Sequence, residues 1–264
     1  ISNGGSHVSS NDSIKKTLFV AFSLCIVCSV IVSTAAVVLK PAQEANKTLD
    51  RKRNILAAAG MLQEGMSVEE QFTQVSARVV DLRTGHYAEE IDPNEYDQRK
   101  AAKDPQRSDQ LNAEEDLANI SRREHYAVVY VVEGAGGEVD KIILPVRGYG
   151  LWSTLYGYIA LEADANTVAG LGFYEHAETP GLGGEVDNPR WKAFWPGKRV
   201  YKDGEVEIGL VKGNVDPGSA KAPWQVDGLA GATLTANGVT NLVQFWLGEN
   251  GFQPFLDNLK SGEA

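Results

Sequence analysis

Residues Thr17 to Leu39, TLFVAFSLCIVCSVIVSTAAVVL, run for 23 positions without a charged side chain. An α-helix rises 1.5 Å per residue, so about 20 apolar residues cross the hydrocarbon core of a bilayer. A cleavable signal has a shorter apolar core, roughly 7–15 residues, and an A-x-A-like cut site. STAAVV matches such a site only loosely, so the run is read as a retained anchor. It divides the chain into an N-terminal tail (1–16), a transmembrane helix (17–39), an amphipathic stalk (40–64) and a globular domain (65–264). The opening ISNGGSHVSS does not start with Met and is read as trimmed, processed or added sequence. Lys15 and Lys16 precede the helix, whereas Lys40, Lys47, Arg51, Lys52 and Arg53 follow it. Counting positive charge weakly places the C-terminal side in the cytoplasm, although large domains translocate largely regardless of charge.

Both cysteines, Cys25 and Cys28, lie inside the apolar run. Their spacing shares a helix face. They read as small apolar packing residues, the alternative being cluster ligands completed by other chains, since a cluster needs more thiolates than two.

The 264 residues are 43% hydrophobic and 23% charged, which predicts a packed core and excludes global disorder. Net charge is −10 and the pI is about 5.0. Phosphate backbones need a basic face, so nucleic acid is excluded as a partner.

After the anchor, KPAQEANKTLDRKRNILAAAGM has helical spacing and ends near Gly60. VEEQFTQV predicts a short helix and ARVVDLRTG a strand. Tyr96 to Arg123 is polar and reads as a solvated helix and loop or as an interaction surface. HYAVVYVVEG and DKIILPVRG are β-branched runs joined across GAGGEV, predicting a hairpin. YGYIALEA, TVAGLGFYEH and EVEIGLVKG predict further strands. NPRWKAFWPG, TANGVTNLVQFWLGENG and GFQPFLDNLK predict helices. The fold class is therefore α+β, a mixed domain around a largely antiparallel sheet behind a single N-terminal transmembrane helix.

Gly148-Tyr149-Gly150 resembles half of a dinucleotide fingerprint but lacks the third glycine and the strand–turn–helix unit, so nicotinamide binding is rejected. His86, His125 and His176 lack metal-ligand spacing and read as surface or structural residues. Thr179-Pro180-Gly181 predicts a turn. Leu182-Gly183-Gly184 predicts either a glycine-rich surface loop or close backbone approach to a flat ligand or another chain. In DGLAGATLTANGV, Thr235 precedes an apolar helical pattern and is expected to be its N-cap. A helix start also suits an anion, so a phosphate near Thr233 or Thr235 stands beside the simpler reading of a cap.

DGLAGAT, with Asp227, Gly231, Ala232 and Thr233 in place, is similar to the flavinylation motif D-x-x-[ST]-G-A-[TS] of membrane-bound FMN-binding domains. Together with NDSIKKTLFV, YDQRKAAKDP, ILPVRGYGLW, ETPGLGGEVDNP and FWLGENGFQPFL, it makes nearly the whole chain resemble the C subunit of the bacterial sodium-translocating NADH:quinone oxidoreductase (Nqr). The resemblance implies FMN esterified through its phosphate to Thr233, attached by a flavin transferase. Around it fall Asp227, Gly228, Leu229, Gly231, Ala232, Leu234 and Thr235. Glu178, Thr179, Leu182 and Gly183 are implied to line the flavin, with Trp152 and Lys212 as outlying neighbours. Ala230 departs from the motif's usual hydroxyl residue, which puts a secondary contact in doubt but not the acceptor.

The same resemblance implies an inner-membrane, single-pass protein with its flavin domain in the periplasm. It would relay electrons from NADH toward quinone beside membrane subunits carrying flavin and iron–sulfur centres and an NADH-oxidising subunit. The alternatives are the G subunit of the related Rnf complex and a non-redox membrane-anchored scaffold whose threonine motif is only a cap.

Overall fold

A computed structural model describes residues 14–134 and 136–264; most of the expected tail (1–13) and Ala135 of the expected hairpin turn lie outside the described residues. The apolar run forms helix α1 (Ile14–Ala58), and none of its apolar window is buried. It is the one helix among the described residues long and apolar enough to cross a membrane. The helix continues through Pro41, so no break separates the expected span from the expected stalk. The chain divides into two compact units between Asp50 and Arg51. The second unit therefore takes in the last turns of α1, which the sequence pattern assigned to the stalk, and begins before residue 65. The cause is visible in the side chains: Ile55, Leu56 and Ala58 are buried in its core.

Helix α2 (Val68–Phe72) starts on a capping box in which the Ser67 hydroxyl accepts from the Glu70 N–H while the Glu70 carboxylate accepts from the Ser67 N–H. Strands β1 (Val75–Asp81) and β2 (His86–Tyr87) follow. The polar stretch from Tyr96 is mostly loop, carrying only a four-residue helix α3 (Gln98–Ala101) and the small antiparallel pair β3 (Ser108–Gln110) and β4 (Arg122–Glu124).

The expected hairpin is β5 (Tyr126–Glu133) with β6 (Val139–Tyr149), and β7 (Thr154–Glu162) and β8 (Val168–Glu175) extend it. The six-stranded sheet has the order β2-β1-β5-β6-β7-β8, antiparallel throughout. Its central strands are apolar on both faces because both faces are covered. Ile142, Leu144, Leu155 and Ile159 join the larger core, and Val128, Tyr130, Ile143 and Tyr158 join the smaller one beside Ile55 and Leu56.

After β8, helix α4 (Pro189–Lys192) is one turn long, with Asn188 as its cap. EVEIGLVKG, expected as one strand, is broken. The pieces are β10 (Glu205–Val206), paired with β9 (Tyr201–Lys202), and β11 (Gly209–Leu210), paired in parallel with β12 (Gln225–Val226). The Glu207 and Ile208 N–H groups both turn to the Val200 carbonyl, which breaks the run between the two small ladders.

Helices α5 (Thr233–Leu247) and α6 (Gln253–Ser261) close the larger core. Helix α5 lies tightly along the end of β6. A Cβ on Gly148 would strike Leu242, and a Cβ on Gly238 would strike the Tyr149 carbonyl. The Trp246 indole donates to the Arg147 carbonyl at 2.7 Å. These contacts bring the first turn of α5 to the loop between β6 and β7.

Candidate functional site

That loop, residues 150–153, turns three successive backbone N–H groups inward onto one carboxylate. Leu151, Trp152 and Ser153 donate to Glu178 Oε1 at 3.1, 2.9 and 3.3 Å. The other oxygen, Oε2, accepts the Thr235 hydroxyl at 2.6 Å. Glu178 is only 5% exposed. Burial by itself would raise its pKa. The Thr235 hydroxyl and the three backbone donors outweigh that and hold the carboxyl below the usual range, so it is ionised at neutral pH.

Its own N–H donates to His176 Nδ1 at 3.2 Å. The Nε2 nitrogen of that ring therefore carries the proton it directs at Asp187 Oδ2, 2.7 Å away. The Ser153 hydroxyl accepts the Ala177 N–H at 2.7 Å.

Two glycines make room for this anion. A Cβ on Gly150 would lie 2.6 Å from Glu178 Oε1, and one on Gly183 would lie 2.5 Å from Thr235 Oγ1 and 2.8 Å from Glu178 Oε2. The close approach expected of Leu182-Gly183-Gly184 thus includes an approach to the protein's own buried pair. The Thr179 carbonyl closes the turn by accepting from Leu182 and Gly184.

Thr235 is not the N-cap of α5. The helix starts at Thr233, the cap position is Ala232, and no side chain caps it. Thr235 comes third in the helix and is buried, because Glu178 binds its hydroxyl more strongly than an exposed N-terminal amide would. Thr233 and Leu234, by contrast, face outward, Leu234 at 59% exposure. The motif before them is anchored at its other end. Asp227 Oδ1 accepts the Val215 N–H at 2.9 Å, the Asp227 carbonyl accepts the Trp191 indole at 3.0 Å, and the Gly228 N–H donates to the Gly213 carbonyl at 2.8 Å. Leu229 and Ala232 are buried. Gly231 takes φ +71°, and a Cβ there would lie 3.0 Å from Leu182.

The motif thus turns Ala230, Gly231, Thr233 and Leu234 outward beside Leu182, while Trp152, at 65% exposure, projects from the loop that Glu178 holds. Lys212 is exposed on the segment whose neighbours, Val211 and Gly213, meet Gly228. Sequence reasoning missed Gly150, Leu151 and Ser153, and its reading of His176 as a surface or structural residue did not connect that ring to Glu178. Gly148-Tyr149-Gly150 carried a signal, but as a failed dinucleotide motif rather than as room for a carboxylate and for α5.

An uncapped helix start with an exposed hydroxyl suits a phosphate, and the exposed Trp152, Leu182 and Leu234 side chains suit a flat aromatic ring system. The residues present therefore fit a flavin mononucleotide. The FMN-binding domain family matches residues 150–248, a span that contains the carboxylate, the glycine turn and the threonine motif. The domain is accordingly an FMN-binding domain preceded by an apolar helix.

The C subunit of the Na(+)-translocating NADH-quinone reductase from Pseudomonas aeruginosa is 56% identical over 262 residues, covering 97% of this chain and 100% of that one. The corresponding C subunit of Vibrio anguillarum is 50% identical over 256 residues, covering 96% and 98%. Among solved structures, Shewanella oneidensis NqrC superposes with a TM-score of 0.76 at 36% identity, covering 82% of this chain and 99% of that one. The C subunit from Parabacteroides distasonis gives 0.63 at 29% identity, covering 83% and 96%. The chain belongs to the NqrC family, the C subunits of the Na(+)-translocating NADH-quinone reductase, an oxidoreductase complex.

Proposed function

We propose that this chain carries FMN as a phosphoester on Thr233 and passes electrons within a sodium-translocating NADH:quinone oxidoreductase. The observation that carries this reading is the division of the two threonines: Thr235 spends its hydroxyl on Glu178, whereas Thr233 opens an uncapped helix with an exposed side chain. The Thr233 Oγ1–phosphorus bond forms as the phosphoanhydride bond of a flavin dinucleotide donor breaks, so the hydroxyl proton and a nucleoside monophosphate leave and the flavin stays on the threonine through one phosphate. A threonine hydroxyl is a poor nucleophile unaided, so a flavin transferase makes the bond, and the exposed Ala230, Gly231, Thr233 and Leu234 leave the motif open to such an enzyme. The first N–H groups and the dipole of α5 meet the phosphate charge.

When bound, the flavin supplies the redox chemistry; the protein supplies place and surroundings. Trp152, Leu182 and Leu234 offer apolar surface to the ring, Thr179 and Gly183 shape the turn beside it, and Lys212 brings positive charge to the motif's far side. The tether stops the cofactor from diffusing away. Helix α1 crosses the bacterial inner membrane once and leaves this domain in the periplasm. NADH oxidation, quinone reduction and the other flavin and iron–sulfur centres belong to the partner subunits.

The test is denaturing electrophoresis of the chain co-expressed with a flavin transferase, viewed under ultraviolet light. The wild-type band is expected to fluoresce and the Thr233→Ala band to be dark. The mass of the flavin-bearing peptide separates Thr233 from Thr235. A dark wild-type band refutes the covalent reading.

A further inference from the structure

The flavin-site segments come from distant parts of the chain, and one side chain joins them. The Leu151–Ser153 turn follows β6, and the first turn of α5 lies some eighty residues later; Glu178 bonds to both. Its two oxygens accept from four donors of the chain itself, three on Oε1 and one on Oε2.

We propose that Glu178 is a positioning residue that locks the Trp152 turn to the start of α5 and thereby fixes the spacing between Trp152 and Thr233. The inference deepens the reading of Thr233 as the flavin carrier and rests on it for its meaning, but the lock belongs to the chain itself. On one side, Trp152 donates its own N–H to Oε1, so its backbone follows the carboxylate. On the other, Thr235 is two residues beyond Thr233 in the same rigid turn, and its β-branched side chain has few rotamers to choose from. The bond between Thr235 and Oε2 is short and charge-assisted, the strong kind of hydrogen bond.

Gly150 and Gly183 lie against the same pair so closely that a Cβ on either would collide with it. Because Glu178 N–H is itself held by His176, and His176 by Asp187, the lock is fastened at its base as well as at its tip. The arrangement presents a tethered ligand to the indole at one distance instead of a range of distances, which is how a buried polar network contributes specificity.

The experiment uses the full chain in detergent, produced without a flavin transferase so that it carries no flavin, and follows amide hydrogen exchange residue by residue. Thr235→Val removes the donor on α5 and leaves the three amides of the turn untouched in sequence. Exchange at Leu151, Trp152 and Ser153 is expected to accelerate about tenfold, with exchange in the middle of β6 and β7 unchanged. Thr235→Ser, which restores the hydroxyl but not the methyl, is expected to return it to the wild-type rate. In a Glu178→Gln background, where the anion is gone, Thr235→Val is expected to add less than twofold. Unchanged exchange in the turn of Thr235→Val, or acceleration that Thr235→Ser fails to reverse, overturns the lock.

Flavinylated samples then report the consequence. Thr235→Val is expected to keep in-gel flavin fluorescence while the folded protein's flavin becomes brighter, as quenching by the indole is lost. A dark wild-type gel would sink the covalent-attachment reading yet leave the exchange result standing, so the two failures are distinguishable.

Discussion

Gly183→Ala is the substitution that most directly probes how the site is built. The backbone at Gly183 does not need positive φ, so the cost of a methyl group there is one of space alone. The new Cβ would sit 2.5 Å from Thr235 Oγ1, 2.8 Å from Glu178 Oε2 and 3.1 Å from Glu178 Cβ. Neither neighbour is free to yield: the threonine is stiff about χ1 and the carboxylate is held by three backbone N–H groups. Overpacking a well-filled site costs roughly 1–3 kcal/mol. Displacing one hydrogen bond to a charged group adds roughly 1.5–3 kcal/mol.

A combined loss of about 4 kcal/mol lowers the unfolding midpoint by roughly 8–16 °C for a unit of this size. Gly172→Ala is the matched control. It is another glycine without positive φ, but its Cβ would find nothing nearer than Ala58 at 3.9 Å, an ordinary contact, so its midpoint is expected within about 2 °C of wild type. The assay is thermal unfolding of the full chain in detergent, followed by tryptophan fluorescence. In a Thr235→Ala background the first of the three close contacts is gone, and the further cost of Gly183→Ala is expected to fall by about half, a coupling that a double-mutant cycle reads directly. A Gly183→Ala midpoint no lower than that of Gly172→Ala would refute the reasoning.

Three further outcomes rest on the same network and its surroundings. The Glu178 carboxyl lies below its ordinary value of 4.5 in the folded chain, so its stabilisation is fully present above that pH and disappears as pH falls through the lower folded value. The stability difference between wild type and Glu178→Gln is therefore expected to be flat from about pH 5 to 8 and to shrink in more acid solution, as measured by urea unfolding. Arg147→Met removes the partner 2.6 Å from the fully buried Glu124 carboxylate and is expected to cost about 3–5 kcal/mol in the same assay, with Glu124→Gln/Arg147→Met recovering part of the loss. Arg99 lies 3.8 Å from the centre of the Tyr156 ring and 2.8 Å from Glu175, both near the surface, so Arg99→Ala is expected to cost only about 1 kcal/mol and to leave flavin attachment intact on the gel.

Much of the fold was legible because it rests on local pattern. Uncharged length declared α1, and β-branched runs such as AVVYVV declared the strands of the sheet. Where the pattern misled, long-range contacts were responsible. Ile55 and Leu56 look like stalk residues by their charged neighbours, and only the packing behind the sheet shows them as core. EVEIGLVKG has the composition of one strand, yet the Val200 carbonyl and the parallel partner β12 divide it.

The threonine pair shows where local physics stops and why. Thr235 precedes an apolar helical pattern and carries the right hydroxyl for a cap, so propensity assigns it the helix start. What removes it from that role is an acceptor 57 residues earlier, buried and charged, which no window of sequence around the helix contains. The glycines of GLGG were visible as a place of close approach and GYG only as a failed dinucleotide motif, yet Gly183 and Gly150 meet the same carboxylate from two sides. A buried anion with four donors leaves only such indirect marks: glycines where it needs room, and a threonine displaced inward from a helix start. Once Glu178 is in place the marks agree, and the hydroxyl left facing outward is that of Thr233.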